Sequence, residues 1–435
     1  MRHAAVALAL VAFSVGFAFA PARARDAVHV TVHVTEWEFG APVPDTAPTG
    51  TVVFTIVNDG SFAHSFSIAG HTTPPIPGGQ SATLTVVFAQ PGAYTFNSTL
   101  DDVDKEMVGA FMVTGEPLMT TAATTTTRAE AGASSLPLTR VADVPLPGGS
   151  SRFDYQSLDA RRHVLYVAHL GASQLVAVDV RRRRVIHNVG GLSSVHGVIA
   201  AAGRVYATAT GTHQLVALRA RDLHVLWRAP AGTFPDGLAY DPAVKRVFVA
   251  DESGRADVVV DAVRGRTLRT IPLGGDAGNV QYDPVAKRIL AAVAGREQLV
   301  AIDPRRLRVV ARYALPGCSG AHGVHLDPPR RLAFVACEGN ARLLVVDLRR
   351  KRVSGSFTVG DTPDVLDFDP GLRRLYVAAE SGVVAVFAEQ GRTLRELGQA
   401  LLAPEAHSVA VDARTHLVYF PLEGGPVLRV MRPGR

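Results

Sequence analysis

Cysteine, lysine and the familiar catalytic motifs are scarce in this chain of 435 residues. Its two cysteines allow one disulfide at most. Only four of the 45 basic residues are lysines, and the formal net charge of +6 is small and evenly spread, which argues against nucleic acid as a partner. The chain has no GxGxxG strand–helix unit, no P-loop, no Gly-x-Ser-x-Gly elbow and no CxxCH haem site.

Long apolar runs are absent after the N-terminus, where residues 1–24 have the features of an export signal. A short basic start, "MRH", precedes the uncharged run "AAVALALVAFSVGFAFA", and Ala22 and Ala24 are the small residues that a signal peptidase recognises. We expect cleavage after Ala24, with an uncleaved membrane anchor as the alternative. No later stretch approaches the roughly 20 apolar residues of a transmembrane helix, so no integral membrane segment should remain after cleavage.

A polar segment divides the remaining chain into two folded regions. Residues 117–137 are dominated by Ala, Thr and Ser and have few large apolar side chains, which predicts a linker. The smaller region, 25–116, alternates apolar and polar residues, as in "VHVTVHV", between Gly, Asn-Asp-Gly and Pro-Gly turns. This pattern predicts a small antiparallel β-sandwich, and the fold class is therefore all-β.

The larger region, 138–435, repeats. Stretches such as "PDGLAYDP", "AHGVHLDP" and "PDVLDFDP" open seven units at intervals of 40 to 44 residues, and an apolar strand follows each. Four short strands every 42 or so residues indicate a seven-bladed β-propeller. The last unit is one strand short, and "LTRVADVPLPGG" (138–149) supplies a matching strand, so the two ends should share one blade and close the ring.

The propeller resembles the YVTN-repeat family of exported bacterial seven-bladed propellers. The resemblance rests on segments such as "LYVAHLGASQLVAVDV", "VFVADESGRADVVV" and "LYVAAESGVVAVF" and covers about 300 residues. It implies the fold, and it implies little about function because relatives bind many things.

The smaller region resembles the cupredoxin family over residues 28–115. "FTIVNDGSFAHSF" is similar to the segment with the first histidine ligand, here His64, and "EMVGAFMV" is similar to the end with the axial methionine, here Met107. A blue-copper site also needs a thiolate and a second imidazole. Asn97 or Ser98 stands at the thiolate position and the second histidine is absent. The resemblance therefore implies a scaffold without type-1 copper, with His64 and Met107 as a weak, vestigial copper site.

The repeat register brings one polar residue of each unit to the same end of the first strand. This strand lines the central channel of a propeller, so these side chains should form a ring at one mouth. The ring consists of Asp154, His196, Asp236, Gly278, His322, Asp364 and His407. Imidazoles and carboxylates suit a divalent transition metal or acid–base chemistry, whereas hydrogen bonds to local backbone are the alternative. The expected clusters join adjacent blades: Asp364 with His407, and Asp154 with His196 or His407.

Loops after the second strands should surround the same mouth. They contribute Glu252, Glu338 and Glu380, which would make the mouth acidic and attract cationic groups unless these side chains are only solvated. Cys318 and Cys337 flank His322 in the sequence and should also lie there. An even cysteine count in an exported protein favours a disulfide between them over two free thiols or a thiolate metal site.

Together these observations predict an exported binding or interaction protein that holds a small molecule or a protein partner at the propeller mouth. Two alternatives stay open: a metal-dependent enzyme of lactonase or lyase type, and a periplasmic copper- or redox-associated protein. In the enzyme, His196, His322 or His407 would act with Glu338 or Glu380. We expect a periplasmic or secreted monomer. The cofactor considered is a divalent metal at the propeller axis.

Overall fold

The computed structural model describes residues 27–35, 39–40, 42–60, 63–69, 71–88, 90–98, 107–116 and 136–434. The chain divides into two compact units, Met1–Thr127 and Arg128–Arg435, which are described in turn. The predicted signal peptide and residues 117–135 of the predicted linker lie outside the described residues. Within the described ranges, no helix has the length and hydropathy needed to cross a membrane.

The first unit is a β-sandwich of two sheets. Its strands are β1 (Val28–Val34), β2 (Thr46–Pro48), β3 (Gly50–Asn58), β4 (Ser67–Ile68), β5 (His71–Thr72), β6 (Ser81–Phe88), β7 (Gly92–Asn97) and β8 (Val108–Thr114). One sheet has the order β1-β3-β6 and the other β2-β8-β7-β4-β5. The prediction of a wholly antiparallel sandwich is wrong for two strand pairs, since β1 is parallel to β3 and β2 to β8. Alternating apolar residues identify a buried face but not the direction of the neighbouring strand.

The sandwich core follows the alternation in the sequence. Val30, Val32 and Val34 of β1 are buried, and the residues between them are at least partly exposed. Phe54 of one sheet meets Phe111 of the other edge to face, with ring centroids 5.0 Å apart. The two sheets are therefore held together by a single apolar core.

The second unit is a β-propeller. Its inner-to-outer strands are, in blade 1, β10 (Gln156–Asp159), β11 (Val164–His169), β12 (Gln174–Asp179) and β13 (Arg184–Val189); in blade 2, β14 (Val195–Ala201), β15 (Arg204–Ala209), β16 (Gln214–Arg219) and β17 (Val225–Pro230); in blade 3, β18 (Pro235–Asp241), β19 (Arg246–Asp251), β20 (Ala256–Asp261) and β21 (Arg266–Pro272); in blade 4, β22 (Asp276–Asp283), β23 (Arg288–Ala294), β24 (Gln298–Asp303) and β25 (Arg308–Ala314); in blade 5, β26 (Ala321–Asp327), β27 (Leu332–Cys337), β28 (Arg342–Asp347) and β29 (Arg352–Thr358); in blade 6, β30 (Pro363–Asp369), β31 (Arg374–Ala379), β32 (Val383–Gln390) and β33 (Thr393–Leu401); and in blade 7, β34 (Ala410–Asp412), β35 (Leu417–Leu422), β36 (Val427–Pro433) and β9 (Leu138–Pro145). Short 3-10 turns span Thr210–Thr212 and Glu338–Asn340.

The ring of seven four-stranded sheets in residues 136–434 is closed. Each innermost strand contacts the innermost strand of the next blade, and β34 contacts β10. The outer strand of the last blade is β9, which pairs antiparallel with β36 from the other end of the unit. The predicted blade count and shared last blade are therefore both present.

Burial differs between strands as their sequences indicate. The six residues of β11, Val164–His169, are all buried because neighbouring blades cover both faces of the sheet. The outer strand β25 instead alternates exposed and partly buried residues along Arg308–Ala314. Continuous apolar runs therefore mark the middle strands, and alternating runs mark the rim.

Aspartates stabilise the turns between third and fourth strands. At the end of β24, Asp303 accepts hydrogen bonds from the backbone N–H groups of Arg305 (2.9 Å) and Arg306 (3.0 Å), and Leu307 then takes a left-handed φ of 52°. The Arg-rich segments 181–184 and 349–352 belong to turns of this kind, and their residues are exposed. These arginines are rim residues, as their sequence position indicates.

Asp257 of β20 is an unusual feature of the third blade. It is fully buried, and neither carboxylate oxygen has a hydrogen-bond partner in the described part of the chain. Burial, followed by the charge of Asp251, raises the pKa of Asp257 to about 8. The group is therefore neutral in the folded protein at neutral pH.

We predict that Asp257→Asn gains stability relative to the wild type as pH rises. The folded pKa is above the unfolded value, so folding takes up a proton and the wild type loses stability between about pH 4 and about pH 8. Urea unfolding at about pH 5 and about pH 9 measures the difference. The exposed-site control Glu396→Gln should show a constant difference from wild type. An equally constant difference for Asp257→Asn would contradict the prediction.

Candidate functional site

The ring residues predicted from the repeat lie at the starts of the inner strands, at one mouth of the propeller. Asp154, Asp236, Asp364 and His407 are each no more than 4% exposed. His322 is partly buried, with 12% of its side chain exposed. Burial of so many ionisable groups is costly unless they are paired or bind a cation.

Glycines explain why these side chains lie close together. A Cβ atom on Gly197 would collide with the carbonyl oxygen of Asp236, and one on Gly323 would collide with that of Asp364. Both glycines directly follow a ring residue, so the "HG" pairs in the sequence are places where the next blade's backbone passes very closely. The inner strands can therefore approach each other and narrow the mouth.

The first cluster consists of Asp154, Asp364 and His407, whose ligand atoms lie within 4.8 Å of one another. His407 Nδ1 is 3.0 Å from the Glu405 carbonyl oxygen, and Nε2 is buried without a hydrogen-bond partner among the described residues. Burial and then the charge of Arg152 lower the pKa of His407. A neutral imidazole that donates through Nδ1 leaves the Nε2 lone pair available to a metal ion.

The second cluster surrounds His322. Its Nδ1 is 2.9 Å from Glu338 Oε1 and 3.3 Å from Asp364 Oδ1, so the ring is ion-paired with two carboxylates on this side. Its Nε2 is 3.7 Å from Asp236 Oδ2, and Asp236, Glu252 and His322 form a further group of close ligand atoms. His322 therefore has carboxylates on both sides of its ring.

This contact between His322 and Asp236 differs from the expectation that only adjacent blades would form clusters. His322 belongs to blade 5 and Asp236 to blade 3. Blade 4 contributes Gly278, where a Cβ would collide with the backbone of His322. Because blade 4 places no side chain in the ring, His322 reaches across it.

The carboxyl groups at the mouth repel one another electrostatically. Burial, followed by the charges of Asp236 and Asp364, raises the pKa of Asp154 well above its usual value. Burial opposes the charged form of His322, but Glu338, Asp236 and Asp364 outweigh it and raise the pKa of the imidazole well above its usual value. The site therefore favours any cation that can approach these carboxylates.

Two predicted residues have other partners. His196 Nδ1 is 2.8 Å from the Ser194 carbonyl oxygen, its ring packs on Phe234 with centroids 5.2 Å apart, and it belongs to none of the clusters. The expected pairing of Asp154 with His196 is therefore not formed within these clusters. Glu380 forms an ion pair with Arg152 at 2.8 Å, and this charge lowers the pKa of Glu380 to about 2 although burial opposes it.

Sequence reasoning missed Arg152 and Tyr155. The Tyr155 hydroxyl donates to Asp364 Oδ1 at 3.4 Å. Both residues flank Asp154, and Tyr155 stands where units two, three and five have glycine. That departure from the repeat was the available signal.

A cavity of about 190 Å³ lies farther along the inner strands. Tyr155 lines it together with amide and ionisable side chains from several blades. These are Gln156, Asn279, Gln281, His325 and Asp367. The axis thus combines a charged mouth with a polar interior space.

In the sandwich, His64 and Met107 are both 2% exposed, and Met107 packs in the apolar core. Ser98, at a position predicted for the missing thiolate, accepts a hydrogen bond from the Ser65 backbone N–H at 3.1 Å. His64 joins none of the clusters of three or more His, Cys, Asp or Glu side chains found among the described residues. The vestigial copper site stays a prediction.

Comparisons with known proteins bear on the fold. The chain matches no protein-family model and no curated protein. Among solved structures it is similar to hydrazine synthase from Kuenenia stuttgartiensis, with a TM-score of 0.58 and 15% identity over 66% of this chain and 96% of that one.

The shared feature is the β-propeller. At this level of identity the likeness shows architecture alone, so the function has to be argued from the mouth residues.

The predicted disulfide is present at the rim of the mouth. Cys318 and Cys337 are bonded, with Cα atoms 5.3 Å apart, and Cys337 directly precedes Glu338. The joined segments also share backbone hydrogen bonds, from Glu338 N to Gly320 O and from Gly339 N to Ser319 O. The bond therefore tethers the chain on both sides of His322, and it anchors the residue next to Glu338.

We predict that replacing both cysteines by alanine lowers the stability of the propeller. Closure of a loop of this size contributes roughly 3 kcal/mol. The unfolding midpoint in urea should fall, and wild type unfolded in a reducing agent should match the double variant. Unchanged midpoints in both experiments would contradict a stabilising role.

Proposed function

We propose that this protein is an exported metal-binding β-propeller whose mouth holds a divalent transition-metal ion. The observation that supports this most strongly is the environment of His407. Its buried imidazole lies close to the carboxylates of Asp154 and Asp364, and its Nε2 has no hydrogen-bond partner among the described residues. Neutral imidazole and carboxylate oxygens together are a ligand set typical of zinc, iron and manganese sites.

The surrounding residues support a bound ion over purely structural hydrogen bonding. The contact of His407 Nδ1 with the Glu405 carbonyl oxygen fixes the ring orientation, as a hydrogen bond at the non-ligating nitrogen does for metal-binding histidines. If the cluster served only for structural hydrogen bonding, His407 Nε2 should have a hydrogen-bond partner as well, and it has none in the part of the chain that the structure describes. A cation would offset the repulsion between Asp154, Asp236 and Asp364 that appears in the raised pKa of Asp154.

Export is supported by the N-terminal sequence and by the disulfide. Disulfides persist mainly in oxidising compartments, and both cysteines of the chain are in this one. No thiolate is then left for type-1 copper, and the cupredoxin-like interpretation of the sandwich describes a scaffold without that chemistry. We infer a periplasmic or secreted protein that binds metal at the propeller.

The axial cavity favours a second candidate, a metal-dependent enzyme that uses the same ion. The cavity has a polar lining, and Tyr155, which lines it, also donates a hydrogen bond to Asp364. A small substrate in the cavity would therefore lie next to the metal ligands. Catalysis would require the ion, so metal binding is the first property to test.

We predict that the full chain, stripped with a chelator, binds Zn²⁺ with an affinity that depends on His407. His407→Ala should weaken binding at least about 10-fold, because it removes a ligand. Isothermal titration calorimetry with Zn²⁺ measures this change.

His196→Ala is the matched control, since it removes an imidazole at the equivalent repeat position outside the clusters. Its affinity should equal that of the wild type. Equal loss in both variants, or no loss in His407→Ala, would contradict the proposed site.

A further inference from the structure

The mouth offers more ligands than one ion can use. Resting on the proposed function, we propose that it holds two divalent metal ions bridged by the carboxylate of Asp364. One position would be formed by Asp154, Asp364 and His407, and the other by His322, Glu338 and Asp364.

Asp364 is the residue that connects the two positions. It is the shared member of the cluster with Asp154 and His407 and of the cluster with His322 and Glu338, and in each cluster the ligand atoms lie within 4.8 Å of one another. A carboxylate has two oxygens and can bind one ion through each. Bridged metal pairs in proteins lie about 3.5–4 Å apart, which a single carboxylate spans.

The two imidazoles point to separate ions. His407 Nε2 is buried without a hydrogen-bond partner among the described residues, and His322 Nδ1 lies 2.9 Å from Glu338 Oε1 and 3.3 Å from Asp364 Oδ1, the other two members of its cluster. No cluster of mutually close ligand atoms in the described chain contains both histidines. Ligands of one ion, each about 2.1 Å from it, lie at most about 4.2 Å apart. One ion therefore cannot take both nitrogens together with Asp364 in this arrangement.

Charge also favours two ions. Arg152 is already paired with Glu380 at 2.8 Å. The carboxyl groups in the clusters of close ligand atoms are Asp154, Asp236, Glu252, Glu338 and Asp364. In their ionised form these carboxyl groups carry more negative charge than one divalent cation offsets, and a second cation offsets more of it. Because the mouth has a low dielectric constant, the difference in electrostatic energy between one and two bound ions is large.

The neighbours of the bridge fit this role. Tyr155 donates its hydroxyl to Asp364 Oδ1 at 3.4 Å, which would orient the bridging carboxylate. Asp236 approaches His322 on its Nε2 side at 3.7 Å, opposite to the Nδ1 that would bind the second ion. Metal-bound imidazoles commonly have a carboxylate beside the ring nitrogen that faces away from the metal.

The test uses the full chain loaded with Mn²⁺ after removal of metal by a chelator. Metal content per chain is measured by elemental analysis, and coupling between ions by electron paramagnetic resonance. We expect two Mn²⁺ per chain and the exchange-coupled spectrum of a bridged pair. His407→Ala and His322→Ala should each leave one ion with the six-line spectrum of isolated Mn²⁺.

Asp364→Asn preserves the size of the bridging side chain and should abolish the coupled spectrum, while His196→Ala should retain two coupled ions. One Mn²⁺ per wild-type chain, lost in His407→Ala, would overturn the two-ion inference and leave the proposed function standing. Two uncoupled ions would also overturn the bridge. Absence of stoichiometric metal would overturn the proposed function itself. The wild-type result decides these outcomes even if a variant fails to fold.

Discussion

Hydrogen bonds between β36 and β9 close the ring of blades, and the geometry of the mouth depends on this closure. The two strands come from opposite ends of the propeller unit and complete one sheet. An open ring would have an unpaired edge and would let the first and last blades separate. Asp154 of blade 1 and His407 of blade 7 meet across that seam, so the first ligand cluster exists only in a closed propeller.

Close packing of the inner strands then concentrates charge. Gly197 and Gly323 let successive blades pass near each other, and Asp236 and Asp364, whose backbone lies against these glycines, are buried at the mouth. Carboxylates held this way repel each other, which the fold must tolerate. Electrostatic repulsion of this kind is expected at sites where a protein gives up folding stability for binding. A bound cation would relieve this repulsion, and the free energy released would strengthen its binding. The mouth is therefore the best candidate for the functional site.

The repeat made much of this architecture predictable. Units in phase at 40 to 44 residues placed Asp154, Asp364 and His407 at one end of the inner strands, and the cysteine pair at the rim followed from its position beside His322.

The rest depended on distances that a repeat does not encode. His322 reaches Asp236 because blade 4 has Gly278 in the ring, and His196 packs against Phe234 rather than joining a cluster. The alternation pattern also could not predict strand direction in the sandwich, because parallel and antiparallel neighbours bury the same residues.

Anomalous X-ray diffraction from crystals of the full chain equilibrated with Zn²⁺ tests the central claim most directly, because it locates the ion without reference to any variant. The account predicts a strong anomalous peak at the propeller axis, within bonding distance of His407 Nε2 and Asp364. A map with peaks only at exposed histidines such as His224, and none at the mouth, would contradict it.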